Sequence, residues 1–361
     1  MYKLFIKPIL FLLNAENAHK FAIYALKCIG KLPFCRSIMR SAYRVDDPSL
    51  EREVLGLRFR NPIGIAAGFD VNGDIVNELE AIGFGFVEVG SITPEPQGGN
   101  PKPRLFRIDG DKAIVQRMGH PNKGWANAIH HLRNRKNNII VGCNIARNNN
   151  TSNSGASKEF QKCFRNLYQY VDYFTVNINF KYLEIGEDSN AEEALTELLT
   201  PLFDFRRGQS DYRPILVKLS PDLDDAMIDA VSDVLIATPL DGVVATSGSS
   251  EHTGLTCSEY QLEKMGRGRL CGAPIRERAL RVVRRVHERT DGAYPIIGVG
   301  GLMSADDIKA MMEAGASLVQ IYSGFIYGGP SIVGDMCREL IIEIEKEHSV
   351  DLQGGEFSES N

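Results

Sequence analysis

The chain predicts an α/β fold, a (β/α)8 TIM barrel with a small N-terminal helical extension, and three observations carry that expectation. Short β-branched runs recur eight times between residues 63 and 322, helical stretches separate them, and the last two runs end in glycine-rich turns. At 361 residues, 43% hydrophobic and 24% charged, the chain is long enough for one large barrel with a sizeable core.

The first 45 residues stand apart. Lys3, Lys7, Lys20, Lys27, Lys31, Arg36, Arg40 and Arg44 face a single acid, Glu16. Phe5, Ile6, Phe21, Ile23, Tyr24, Leu26 and Ile29 share the segment with the apolar run 9–13. That run is far short of the roughly 20 residues that span a bilayer, and no small-residue cleavage site follows it. Two readings stay open: basic amphipathic helices lying on an anionic membrane, or a helical cap on the barrel with solvated lysines.

The barrel is expected over residues 46–348. Strands are expected at 63–67, 85–89, 139–144, 173–178, 214–219, 241–246, 295–300 and 317–322, with helices such as 224–236 and 305–314 between them. A doubly wound open sheet competes, but eight even repeats favour closure. The intervals 90–138 and 247–294 are too long for plain connections and read as functional loops. Residues 349–361 lack apolar periodicity and read as a disordered tail.

A net charge of -5 argues against a general nucleic-acid binder. The cysteines at 28, 35, 143, 163, 257, 271 and 337 form no CxxC pair, which suggests free thiols in a reducing compartment. No metal site is expected.

In such barrels chemistry sits at the carboxyl ends of the strands, and phosphate often binds after the last two. Gly298, Gly300 and Gly301 end one of these strands, and Tyr322, Ser323 and Gly324 end the other. Glycines let a backbone approach a phosphate closely. Ser91, Asn144, Asn177, Lys218 and Thr246 are polar residues at other strand ends. Lys218 is the sharpest, because it interrupts the apolar run 215–219 (ILVKL). A buried lysine needs an anionic or hydrogen-bonding partner. A reduced flavin is one such partner; an internal ion pair is the other.

The runs 61–70 (NPIGIAAGFD), 83–91 (GFGFVEVGS), 295–301 (PIIGVGG) and 315–330 resemble the class 2 (quinone-linked) dihydroorotate dehydrogenases. The likeness extends from about Met1 to Leu340. It implies FMN, contacted at strand ends by Ala67, Gly68 and Ser91, with Asn144, Asn177, Lys218 and Thr246 around the ring and ribityl chain. Gly272, Gly301, Tyr322 and Ser323 would complete the cradle. It also implies a small-molecule substrate and a quinone acceptor reaching the flavin between the N-terminal helices. Peripheral attachment at the cytoplasmic face of the inner or cell membrane and a monomeric state are expected with it.

The residues that would hold dihydroorotate depart from the family. A lysine that follows Gly-[Leu/Phe]-Asp there is Val71 here. The family's Asn-Arg-Met-Gly-Phe-Asn-Asn reads QRMGHPN over 116–122, which brings in Gln116 and His120. The loop Ser-Ser-Pro-Asn-Thr reads NFKYL over 179–183, so Phe180 stands where the family keeps its catalytic serine, and Tyr182 follows. Thr-Asn-Thr-Thr reads TSGS over 246–249, which brings in Ser247. The surrounding stretch 247–272, with Gly248 and Arg269, is a few residues longer than usual. Only Asn177 survives from the substrate's hydrogen-bonding set.

A benzyl side chain accepts no proton, and a positioned base contributes roughly 10²–10⁴ in rate. Tyr182 and His120 are the candidate replacements. Three readings follow: a flavin oxidoreductase with altered substrate or weak dihydroorotate activity, a non-catalytic FMN-binding pseudoenzyme with a regulatory or scaffolding role, or an orthodox dihydroorotate dehydrogenase. A retained cofactor cradle favours the first over the second.

Overall fold

The structure, a computed structural model, describes residues 2–355 apart from 134, 137, 179–190 and 267. Phe180 and Tyr182 therefore lie outside the described residues. Eight parallel strands close into a barrel: β1 (Ile63–Ile65), β2 (Phe86–Ile92), β3 (Ile140–Ile145), β4 (Tyr173–Val176), β5 (Ile215–Leu219), β6 (Gly242–Ala245), β7 (Ile296–Val299) and β8 (Leu318–Ile321). Each pairs with its sequence neighbours, and β8 returns to β1. All eight coincide with the runs read from the sequence, and the barrel rather than the open sheet is the fold.

Alternation along each strand sorts its residues into two sets. Phe86, Tyr173, Leu216, Val244, Ile297 and Leu318 pack together in a buried apolar cluster. The antiparallel pair Arg52–Val54 and Leu57–Phe59 adds Phe59, whose ring meets Phe86 edge-on at 5.2 Å. Two glycines make room for this layer. A Cβ on Gly142 would lie 2.0 Å from the Tyr173 ring, and one on Gly64 would lie 2.5 Å from Phe86. The alternate residues, among them Val87, Phe174, Val217 and Val243, pack in a larger cluster with residues of the surrounding helices.

The helices Asp225–Ala237 and Arg276–Arg289 are joined by a ladder of ion pairs. Arg281, Arg285 and Arg289 meet Asp225, Asp229 and Asp233, each at 2.6 Å. Spacing of four residues on both helices puts all six groups on facing sides.

The two long intervals meet each other. Leu105–Ile108, Ala113–Gln116 and Arg269–Gly272 form a three-stranded antiparallel sheet, with the middle strand drawn from residue 113 onward. No alternation in the sequence signals the pairing of Ala113–Gln116 with Arg269–Gly272, because these two strands are about 150 residues apart, a separation longer than local pattern can report.

Four helical segments make up the expected extension: Tyr2–Ile6, Lys7–Leu12, Ala15–Ile29 and Cys35–Tyr43. Arg107 donates to the carbonyls of Leu10, Phe11 and Leu13, and buried Glu16 pairs with buried Arg104 at 3.0 Å. At the other end, helix Ile332–Gly355 runs past residue 348, so residues 349–355, expected to fray, continue that helix. All seven cysteines are unpaired.

Candidate active site

A cavity of about 1490 Å³ opens at the carboxyl ends of the strands. It exceeds the roughly 300–1,000 Å³ of an ordinary ligand pocket. At its floor, Glu88, Thr175, Lys218 and Gln320 occupy inward positions two residues along from the apolar layer and are buried.

Glu88 is the hub of that floor. Its Oε2 accepts from Gln320 Nε2 at 2.8 Å, Thr175 Oγ1 at 3.2 Å and Tyr173 Oη at 3.3 Å. Its Oε1 accepts from Asn144 Nδ2 at 3.0 Å. Lys218 Nζ lies 3.8 Å from the same oxygen, close enough for charge pairing and too far for a hydrogen bond. The ion pair foreseen for Lys218 thus exists, and its ammonium donors are not taken up by Glu88. Gln320 Oε1 is buried without a hydrogen-bond partner among the described residues.

Above this layer, Ser91 Oγ donates to Asn144 Oδ1 at 2.5 Å. Asn177 Nδ2 donates to Ser91 Oγ at 3.1 Å and to Asn144 Oδ1 at 3.2 Å. Thr246 Oγ1 donates to the Val299 carbonyl at 3.1 Å. The strand ends after β7 and β8 reach the cavity as backbone. Gly301 has φ +73, and a Cβ there would stand 3.0 Å from Arg276 N; one on Gly324 would stand 2.3 Å from the Leu302 carbonyl oxygen. Ala67, Gly68, Gly272, Tyr322 and Ser323 line the same cavity. All eleven residues expected at a cofactor are therefore in one place.

A second wall is built by the three-stranded sheet. Leu105, Gln116 and Arg269 are direct cross-strand partners, which places them in one row on one face, and all three line the cavity. Val71, His120, Ser247 and Gly248 join them. His120 follows the turn at Gly119 and itself takes φ +49; its carbonyl accepts from Gln97 and Asn122. Its ring is reachable from the cavity, yet enclosure by wall atoms lowers its pKa from the ordinary value, and Arg147 and Arg269 push the same way. His120 is accordingly neutral at pH 7 and can accept a proton. Burial pushes the Cys271 thiol up to about 11, with Gln116, Lys218 and Arg269 opposing, so it is no thiolate nucleophile.

Glu88, Gln320, Arg147 and His19 are cavity-region residues to which the sequence reading gave no role. Glu88 carried a signal, an acid inside the apolar run 86–89. Arg147 and His19 carried none, since their neighbours are brought to them only by barrel closure. His19, on helix Ala15–Ile29, meets the Phe69 carbonyl at 2.8 Å and brings the N-terminal extension to the cavity wall.

Comparison with known proteins agrees with this geometry. The family profile described as "Dihydroorotate dehydrogenase" matches residues 49–344. The chain is 40% identical over 341 residues to a dihydroorotate dehydrogenase (quinone) of Christiangramia forsetii, covering 94% of this chain and 99% of that one. It is 40% identical over 332 residues to the protein of the same name in Cellvibrio japonicus, covering 91% and 95%. A crystal structure of DHODH in complex with ferulenol from Eimeria tenella superimposes with a TM-score of 0.82 at 28% identity, covering 96% of each chain. With a matched profile over most of its length and relatives at this identity, the chain belongs to the quinone-linked dihydroorotate dehydrogenase family of FMN-dependent oxidoreductases.

Proposed function

We propose that the protein is an FMN-dependent, quinone-linked oxidoreductase whose pocket has been recut for a substrate other than dihydroorotate, or turns dihydroorotate over weakly. The observation that carries this reading is an asymmetry within one cavity. The floor and strand ends keep a connected polar set, Ser91, Asn144, Asn177 and Lys218 around Glu88. The walls carry Val71, Gln116, His120, Ser247 and Gly248.

The floor fits FMN on its own chemistry. Lys218 offers cationic donors unused among the described residues, and glycine ends admit a phosphate where a Cβ would collide with its neighbours. Lys218, Asn144, Asn177, Ser91 and Thr246 would hold the ring and ribityl chain, and Gly272, Gly301, Tyr322 and Ser323 the phosphate end. FMN, when bound, supplies hydride acceptance from the substrate and its return to a quinone. Glu88 pairs with Lys218 and holds it in place, and His120 is the candidate proton acceptor among the described residues.

The quinone and membrane parts of the proposal rest on the extension. Leu4, Phe5, Ile9, Leu12, Phe21, Tyr24, Leu32, Phe34 and Ile38 are exposed apolar side chains among lysines and arginines. Contiguous exposure of that kind marks an interaction surface, and the basic residues suit an anionic membrane. No described helix is long and apolar enough to cross one. We infer peripheral attachment at the cytoplasmic face, as a monomer.

The test is genetic and spectroscopic. The purified protein is expected to show the visible spectrum of bound FMN and to fail to rescue a pyrimidine auxotroph lacking its own dihydroorotate dehydrogenase. Rescue at ordinary expression would contradict the altered pocket. A colourless protein that takes up no FMN would contradict the cofactor assignment.

A further inference from the structure

We propose that Arg269, with Arg147 as a second cation lining the cavity, forms an anion-binding site that takes the carboxylate of an organic-acid substrate. This rests on the recut-pocket reading and names the substrate class it would serve.

Arg269 is placed by its row in the sheet, directly across from Gln116 on the face toward the cavity. A guanidinium has five N–H donors. Arg269 uses one hydrogen bond among the described residues, from Nη1 to the Gly248 carbonyl at 3.3 Å. The nearby acid does not satisfy it. Asp222 already accepts from Ser249 Oγ, Ser250 N and Ser250 Oγ at 2.5, 2.6 and 2.7 Å. It stands 3.6 Å from Arg269, beyond hydrogen-bond reach, and equally far from Arg278, which also pairs with Glu251.

Arg147 adds a second charge. Its partners among the described residues are the carbonyls of Asn148 and Thr151 and the side-chain oxygen of Asn153, none of them a carboxylate. Arg147, His120 and Arg269 all line the cavity. Guanidiniums that keep spare N–H donors at a cavity wall attract a planar carboxylate, which they can grip through paired N–H donors.

A geometric link ties Arg269 to the altered strand end after β6. A Cβ on residue 248 would lie 3.0 Å from Arg269 Cβ and 2.9 Å from Cys271 Sγ. Glycine at 248 is what lets the strand carrying Arg269 approach so closely. Arg269 thus brings a cation to a cavity whose position 71 carries none.

Titration calorimetry of the full-length purified protein tests this with two matched pairs, orotate against uracil and benzoate against benzamide. At least one acid is expected to bind roughly tenfold or more tightly than its neutral partner, as charge-assisted hydrogen bonds imply. Arg269→Gln should remove most of that preference while leaving the neutral compound's affinity unchanged, and Arg269→Lys should keep part of it. No preference in either pair, or an unchanged preference in Arg269→Gln, overturns the proposal. Displacement of the bound acid by an equal concentration of inorganic phosphate overturns its assignment to a carboxylate. Visible absorbance of the same samples reports FMN content, so a flavin-free protein that still prefers acids supports this site while defeating the proposed cofactor.

Discussion

Lys218 and Glu88 show how one pair of side chains binds sequence to chemistry. The lysine was conspicuous because it broke an apolar strand; its acid partner lay inside a matching run and drew no attention. Removing the cation strands a fully buried carboxylate, a change that ordinarily costs about 3–5 kcal/mol. Lys218→Met is therefore expected to lower both thermal stability and retained FMN, read as the visible-to-ultraviolet absorbance ratio after purification. Full FMN occupancy in that variant would show that the lysine serves only the ion pair. On the substrate side the sequence spoke through substitutions. Val71, Gln116, His120 and Ser247 were legible because each occupies a motif position, and all reach the cavity. Phe180 and Tyr182 lie outside the described residues, so their part rests on residue chemistry alone. The double variant Val71→Lys, Phe180→Ser returns a cation and a hydroxyl together. It is expected to raise the rate of flavin reduction by dihydroorotate at least about tenfold over the parent; an unchanged rate would place the defect elsewhere.

Helix Ala15–Ile29 is the element where packing, charge and access to the cavity meet. Burial alone would raise the Glu16 pKa, but hydrogen bonds from Arg104 and Lys20 outweigh it and hold it at about 2. That contribution is complete above the ordinary value of 4.5 and is lost as pH falls from there toward 2. His19 on the same helix is lowered from 6.5, first by burial and then by Lys20, so acid also favours the unfolded side as pH falls through 6.5. Both signs agree. Hydrogen-exchange protection over residues 15–29, corrected for the intrinsic exchange rate at each pH, should fall between pH 7 and pH 4 before that of the barrel strands, and protection falling uniformly across the chain would contradict this. The exposed face of the extension makes a separate prediction. Wild-type protein should float with anionic vesicles, less so at high salt, and Leu12→Glu with Phe34→Glu should abolish it. Flotation of the double variant would refute a membrane role for that face. The charge and apolarity of this extension were plain in the sequence, which left a cap and a membrane surface as rival readings. The structure has features of each, with Glu16 and the Phe11 carbonyl bonded to Arg104 and Arg107 of the barrel side and Leu12 and Phe34 exposed.

At the scale of the whole molecule, barrel closure was legible because eight short β-branched runs alternate with helical stretches, and the structure pairs each with its neighbours in sequence. The sheet formed by the two long intervals was not, since Gln116 and Arg269 become partners only once the barrel has brought their loops together. That sheet carries most of the second wall, which is why the floor of the site was read in detail and the substrate side mainly by what it lacks. A floor built for a cofactor also predicts a global effect. FMN at a hundredfold excess over its dissociation constant should stabilise the fold by about 2.7 kcal/mol, seen as a rise in the thermal midpoint that riboflavin, lacking the phosphate, reproduces only in part. The most direct measurement is anaerobic stopped-flow mixing of the FMN-loaded protein with dihydroorotate, run beside the Christiangramia forsetii relative. Bleaching of the flavin is expected to be roughly 10²–10⁴ slower than in the relative, the cost of a missing base. Bleaching at the relative's rate would contradict the recut pocket.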